Sequence, residues 1–347
     1  MKLVTFARYV AFMSRRNGKK RSNLRDVAHV AGVSVATVSR VLNAPSLVRA
    51  QTREQVEQAI AELNFIPSAA ARAINSGHSR IFGALIPTLD NDIFAQTING
   101  MEARLADFGY SLVVATTGED PEAEARKARE LLDIGVEGLF LTGVSHHPDL
   151  DETIARFQVP AVVSSYYDPH YHLPTVGYDN FEAARLALKH LADLGHRDIA
   201  VVHGPVEHND RTQARLAGIK AFGNGPHLSF YPTELTVEGG GAVVDLACRH
   251  RPKLDGFLCA SDVQALGVLF ELQRRGIPVP DKMSVVGMQD LPIAKMTSPG
   301  LTTVSLPTDQ MGRRAAETLC GWINSEEPPE SYCFAIELVV RGSTRKR

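Results

Sequence analysis

Residues 23–43, "NLRDVAHVAGVSVATVSRVLN", constrain this chain more than any other stretch, because they can bury their apolar positions only as two short helices joined at a glycine. Asn23 can cap the first helix, and Asp26 suits the positive end of its dipole. Val27, Ala28 and Ala31 then share one face. Gly32 takes a positive φ at little cost, so the chain can turn there and Ser34 can cap a second helix with Val38, Val41 and Leu42 buried. The pattern is a helix-turn-helix. Its outer face carries Val35, Ala36, Ser39 and Arg40: small residues that allow close approach to base edges, beside an arginine that can reach guanine or phosphate.

A third helix is expected next, with Thr52 and Gln55 in capping-box spacing and Val56, Ala59, Ile60 and Leu63 on its buried face. The alanine-rich run from Pro67 to Ile74 has high helix propensity but is too short to be stable alone in water, so it is expected to fold on DNA. Charge agrees with a nucleic-acid partner at this end. Residues 1–80 hold thirteen Lys/Arg against four Asp/Glu, and the remainder holds twenty-four against thirty-five.

These motifs, "DVA..AGVS.ATVSRVLN", then "TRE.V..AI.ELNF.P", then the alanine-rich segment, resemble the lactose/galactose repressor (LacI/GalR) family of bacterial transcription regulators. The resemblance implies a DNA-contacting set of Asn23, Ser34, Val35, Ala36, Thr37, Ser39, Arg40 and Asn43 in the helix pair, with Ser68, Ala71, Arg72 and Ile74 in a hinge helix. It also implies that paired hinge helices of a dimer enter the minor groove and wedge a side chain into a base step. Ile74 stands where the family has leucine and Ser68 where it commonly has asparagine, so the expected wedge here is branched at Cβ.

Beyond residue 79, apolar runs at 81–86, 111–115, 139–141, 161–164, 199–203, 257–260 and 284–288 alternate with amphipathic helical patterns. This rhythm gives a doubly wound α/β fold with parallel sheets, which bind ligands at the carboxyl ends of their strands. Segments such as "VGYDN..AA..A..HLADLGHRDIAVVHG" and "GIPVPDKMSVVGMQD" extend the family resemblance through this region. It implies a core like that of periplasmic sugar-binding proteins. The expected plan is a helix-turn-helix domain at 23–66, a hinge at 67–79 and an effector core at 80–347. The core would have subdomains of about 80–179 with 307–332 and 180–306 with 333–347, and crossovers near Asp179, Pro307 and Tyr332.

The resemblance also implies the effector site: Asp90, Asn91 and Phe94, then Ser165 and Tyr166, Arg215, Asp262 and Gln289. Carboxylate, amide and guanidinium groups beside aromatic rings suit a small polar ligand such as a sugar. Each has a plainer reading: Arg215 as a surface residue, Asp262 as a helix cap, Phe94 and Tyr166 as core. Gln289 replaces the family's usual aspartate. Arg211 reads as a solvated helix arginine, with contact to an anionic sugar acid or phosphate as the alternative.

No metal or cofactor is expected, since His146-His147 and His170-x-His172 lack clustered ligand partners and read as loop histidines. The triglycine at 239–241 lacks the Lys-Ser/Thr of a phosphate loop, and no nucleophile elbow occurs. Cys248, Cys259, Cys320 and Cys333 lack CxxC spacing and read as reduced, buried thiols of a cytoplasmic protein. No apolar run reaches the roughly 18 residues of a membrane span. Residues 1–22 carry seven Lys/Arg and no acid, with arginines interrupting any apolar core, so an export signal is not expected. A basic arm on phosphates is one reading; a disordered leader or a misplaced start codon is the plainer one.

The expected function is a DNA-binding regulator, a repressor under allosteric control, acting as a homodimer on a near-palindromic operator. No heptad repeat follows Gly342, which favours a dimer over a tetramer. The alternative is a cytoplasmic sugar-binding or enzymatic α/β protein whose amino-terminal helices only pack or dimerise.

Overall fold

The computed structural model describes residues 22–65, 77–223, 225–323, 325 and 327–347. The chain divides into two compact units, Met1–Ser79 and Arg80–Arg347.

In the first unit, α1 (Leu24–Ala31), α2 (Val35–Asn43), a 3-10 turn (Pro45–Leu47) and α3 (Ala50–Glu62) follow one another. Asn23 Oδ1 accepts from the Arg25 amide at 2.8 Å and the Asp26 amide at 3.3 Å, and Asp26 Oδ2 accepts from the Asn23 amide at 2.8 Å, which closes a capping box. Gly32 ends α1 at φ +65°. Ser34 Oγ then accepts from the Thr37 amide at 3.1 Å and caps α2. Val27, Ala28, Val38, Val41, Val56, Ala59 and Phe65 form the core of this unit. The expected Thr52 cap is not used. The 3-10 turn brings the chain into helix at Ala50, with Arg49 at the cap position making no side-chain bond there, and Thr52 lies inside the first turn.

The second unit holds two six-stranded sheets. In the first, β1 (Ile81–Ile86), β2 (Ser111–Thr116), β3 (Leu139–Thr142), β4 (Ala161–Ser164), β5 (Thr175–Tyr178) and β11 (Tyr332–Phe334) lie in the order β11-β5-β4-β3-β1-β2, all parallel. In the second, β6 (Asp198–His203), β7 (His227–Pro232), β8 (Gly256–Cys259), β9 (Ser284–Gln289), β10 (Thr302–Ser305) and β12 (Glu337–Val339) lie in the order β12-β10-β9-β8-β6-β7. Only the β10–β12 pair there is antiparallel. Strands such as β3 and β4 are buried throughout, which is why they read as unbroken apolar runs.

The connecting helices are α4 (Asp92–Asp107), α5 (Pro121–Asp133), α6 (Pro148–Phe157), α7 (Asn180–Asp193), α8 (Asp210–Lys220), α9 (Val237–His250), α10 (Asp262–Arg274) and α11 (Thr308–Ile323). The chain passes between the sheets after Tyr178, between Ser305 and Thr308, and between Phe334 and Glu337. The last passage falls later than Tyr332 because Tyr332–Phe334 still pair with Val176–Tyr178 of β5. Helix α11 belongs with the first sheet, packed so closely on α4 that a Cβ at Gly100 would lie 2.3 Å from the Asp309 carbonyl oxygen. Two of the cysteines differ from expectation: Cys333 is exposed because it lies on the edge strand β11, and Cys248 is only half-buried on α9.

Candidate functional site

Helix α2 divides its residues by periodicity. Val38 is fully buried and Val41 nearly so, whereas Val35 is 40% exposed, with Ala36 and Arg40 also open to solvent and Ser39 half-buried. A face of small residues ending in one guanidinium is therefore free to approach another surface. Not every residue of the sequence-derived set is free in that way. Asn23 and Ser34 are spent as caps, and Thr37 Oγ1 lies 2.9 Å from Ser34 Oγ. Asn43 closes α2. Ser68, Ala71, Arg72 and Ile74, and with them the expected hinge helix, lie outside the described residues.

In the second unit the expected effector residues gather at the carboxyl ends of strands from both sheets. Asn91 follows β1 and caps α4, its side chain accepting from the Ile93 amide at 3.3 Å, with Phe94 buried one turn in and Asp90 exposed. Ser165 follows β4 at φ +68°, and Gln289 ends β9 at φ +132°, two non-glycine residues held in left-handed backbone. Such conformations persist only where the surroundings impose them, and they concentrate at binding sites. Tyr166, half-buried beside Ser165, has its phenol pKa raised by burial and by Asp210, Asp168 and Asp179.

Arg215 is 6% exposed. Its Nε donates to Asn180 Oδ1 at 2.9 Å, Nη1 to the Ala260 carbonyl at 2.8 Å and Nη2 to the Tyr178 hydroxyl at 3.1 Å. Asn180 in turn donates to the Ser165 carbonyl at 3.0 Å, so one network joins the ends of β4, β5 and β8. Asp262 is turned elsewhere. Its Oδ1 accepts from Thr303 Oγ1 at 2.6 Å and its Oδ2 from the Leu291 amide at 2.8 Å, so both oxygens are engaged inside its own lobe. Burial pushes its pKa up to about 6 against these bonds. The adjacent Ser261 hydroxyl meets Gln289 Oε1 at 3.0 Å.

The first turn of α8 crosses from one lobe to the other. Asp210 Oδ2 accepts from the Val144 amide and from the Ser145 amide at 2.8 Å, while Asn209 donates to Glu119 Oε1 at 2.9 Å. Arg211 pairs with Asp210 at 3.1 Å and with Glu119 at 3.5 Å and also reaches the Thr142 carbonyl. Arg211 is therefore not solvated but 7% exposed, because its helix end is pressed into the opposite lobe. Gly143 makes this approach possible: at φ +78°, a Cβ there would lie 2.2 Å from Arg211 Nη1. His146 lies in the loop before α6 with its side chain buried and Nδ1 2.7 Å from Glu124 Oε2. Burial opposes its charged form, but Glu124, Asp210 and Asp151 outweigh that and raise its pKa.

Residues 23–68 match the model of bacterial regulatory proteins of the lacI family, and residues 188–344 match a periplasmic binding protein-like domain. The chain is 33% identical over 313 residues to the HTH-type transcriptional regulator GntR of Escherichia coli K12, covering 89% of this chain and 94% of that protein. It is 32% identical to the HTH-type transcriptional repressor PurR of Vibrio parahaemolyticus, covering 94% and 99%. The chain belongs to the lacI family of bacterial regulatory proteins. Among solved structures, the lac repressor dimer bound to operator and the anti-inducer ONPF superposes with a TM-score of 0.84 at 28% identity, over 94% of this chain and all of that one. This lacI-family protein is a DNA-binding transcription regulator with an effector-binding domain, not an enzyme. Among the described residues, no helix is long and apolar enough to cross a membrane and no cluster of His, Cys, Asp or Glu could hold a metal ion.

Sequence reasoning missed Asn180, Tyr178, Asn209, Asp210, Glu119 and Ser261. Only the "ND" pair opening α8 carried a signal, and it reads as an ordinary cap. Asn209 does take that role, accepting from the Thr212 amide at 3.0 Å, which leaves Asp210 to reach across.

Proposed function

We propose that this regulator is a repressor that reads a near-palindromic operator as a homodimer through the outer face of α2. The observation that carries the reading is the opposition on one helix between sealed Val38 and Val41 and open Val35, Ala36 and Arg40. Val35 and Ala36 suit thymine methyls and Arg40 a guanine edge or phosphate. Two copies lay their α2 helices in successive major grooves, while Ser68, Ala71, Arg72 and Ile74 of the paired 67–79 segments occupy the minor groove between them.

A small polar effector, a sugar or sugar derivative, binds between the lobes of the 80–347 core and alters the angle between them. Asn91, Phe94, Ser165 and Tyr166 from one lobe, with Arg215 and Gln289 from the other, are the side chains placed to meet it. Asp90 and Asp262 contribute from the rim and from behind. A hundredfold change in operator affinity requires the effector to prefer one lobe angle by about 2.7 kcal/mol. Recovering bound fragments from random DNA at several salt concentrations tests the reading. Inverted half-sites and a steep loss of affinity with salt are expected. Binding without a sequence consensus would refute it.

A further inference from the structure

Arg80 is the first residue of the second unit, and it stands in left-handed backbone at φ +56°. That conformation carries a steric cost for any residue with a Cβ, and it persists where the surroundings impose it. Here they do. The Arg80 amide donates to Glu137 Oε1 at 2.9 Å, its carbonyl accepts from the Ser111 amide at 2.9 Å, and a Cβ on Gly109 would lie 3.1 Å from its Nη1. Arg80 is itself exposed, so the lobe grips its backbone rather than burying its side chain. The carboxylate that holds it belongs to the turn opening β3. The Glu137 amide donates to the Ile81 carbonyl at 2.8 Å and the Gly83 amide to the Gly138 carbonyl at 3.0 Å, so the point of chain entry and the start of β3 are bonded in both directions.

Strand β3 is buried along its whole length and pairs in parallel with β1 on one side and β4 on the other. At its far end Thr142 Oγ1 donates to the Leu85 carbonyl at 3.0 Å, and the amides of Val144 and Ser145 are given to Asp210 of the opposite lobe. One strand therefore has the cross-lobe clasp at its carboxyl end and the grip on Arg80 at its amino end. We infer that Glu137 is a positioning residue for operator binding, which ties the course of the chain at Arg80, through β3, to the cross-lobe clasp. It touches neither DNA nor effector. A packed strand held on both sides shifts as a body, because close-packed interiors do not deform continuously. A displacement imposed at Gly143 by the opposite lobe thus reaches Arg80, and with it the chain that leads back to the DNA-reading unit.

The test uses the full-length protein and two DNAs of equal length: the fragment it selects most tightly from a random pool, and a random fragment. Glu137→Ala should weaken binding to the selected fragment about tenfold and leave random DNA unaffected. Glu137→Gln keeps an oxygen acceptor for the Arg80 amide and should bind as wild type does. Undiminished affinity in a folded Glu137→Ala protein, or a loss shared equally by both DNAs, would overturn the inference. Because losing the Glu137 side chain can unfold the lobe, a pair of variants at exposed Arg80 attacks the same bond from the other side. Proline has no N–H and cannot take a positive φ, so Arg80→Pro should show the loss; asparagine tolerates left-handed backbone and keeps its amide, so Arg80→Asn should not. Equal behaviour of those two proteins would also overturn it. The relay itself is read from Gly143→Ala, which disturbs the clasp. Glu137 and Gly143 are six residues apart, roughly 20 Å of extended chain, a separation at which substitutions ordinarily act additively. Gly143→Ala should shift affinity for the selected fragment about threefold or more in the wild-type background and should lose most of that effect in the Arg80→Pro protein. No shift from Gly143→Ala, or the same shift in both backgrounds, would mean that β3 carries nothing from the clasp to the chain entry.

Discussion

The two units present their working residues in opposite ways. On α2, Val35, Ala36 and Arg40 are exposed and the helix is held from behind by Val38 and Val41. In the core, Arg215 is buried and already bonded to Asn180 and Tyr178. A surface that reads a rigid duplex needs shape and reach. A cleft that excludes water must satisfy every polar group it buries, so most of its residues hold others in place. Substitutions on α2 should therefore change recognition with little change in stability, and substitutions in the core should change both.

Asp262 gives the largest expected departure from α2 behaviour. Removing its carboxylate in Asp262→Ala leaves the Thr303 hydroxyl and the Leu291 amide buried without an acceptor. At about 1–3 kcal/mol for each orphaned group, denaturant unfolding of the core should weaken by about 4 kcal/mol. A pH series sharpens the assignment. The folded pKa, about 6, lies above the ordinary 3.8, so the folded form holds the extra proton between those values. Its stabilising contribution is complete below about pH 4 and is lost as pH rises to about 6, on the order of 3 kcal/mol in total. The stability of wild type relative to Asp262→Asn should fall across that window and level off above it. A difference that does not change with pH would mean that the carboxyl is not in a dry site.

Gly143 probes the bridge between lobes. Alanine there must adopt φ +78° and push its Cβ against Arg211 and Asp210, so Gly143→Ala should cost about 1–3 kcal/mol. Hydrogen exchange should reveal where: the Val144 and Ser145 amides, which donate to Asp210, should lose protection first. Equal protection in the variant would show that the α8 turn does not depend on this close approach.

The same contrast explains what the sequence made legible. Helix α2 could be read because a single period assigns each residue to the inside or the outside, and the caps Asn23 and Ser34 mark where counting starts. Inner strands such as β3, β4 and β8 were legible as apolar runs because they are buried throughout, whereas the edge strand β7, largely open to solvent, was not. The cleft was only partly legible, since it joins strand ends far apart in the chain. Nothing local tells that Asp262 turns inward to Thr303 while Asp210 crosses to Val144. Arg211 was misjudged for the same reason: its helix end is covered by a lobe about seventy residues earlier in the chain. Short edge strands such as β11 carry no run long enough to announce themselves.

Arg40→Ala should act on recognition alone. The guanidinium is exposed, so unfolding should be unchanged, while discrimination between operator and random DNA falls by about 1–3 kcal/mol and effector affinity stays as it was. Competition titrations against the two DNAs decide it, and unaltered discrimination would take Arg40 off the reading face.

Ser34 gives the smallest expected effect and separates support from contact within the DNA-reading unit itself. Its Oγ accepts from the Thr37 amide, so Ser34→Ala should destabilise the unit by about 1 kcal/mol through loss of the cap. Aspartate caps as well as serine and favours the positive end of α2, so Ser34→Asp should restore that stability. It also adds a negative charge at the helix end that would face phosphates if α2 enters the major groove as proposed. Restored melting with weakened operator binding, most evident at low salt, places Ser34 beside the backbone. Restored melting with unchanged binding confines Ser34 to capping, and the reading face then begins at Val35.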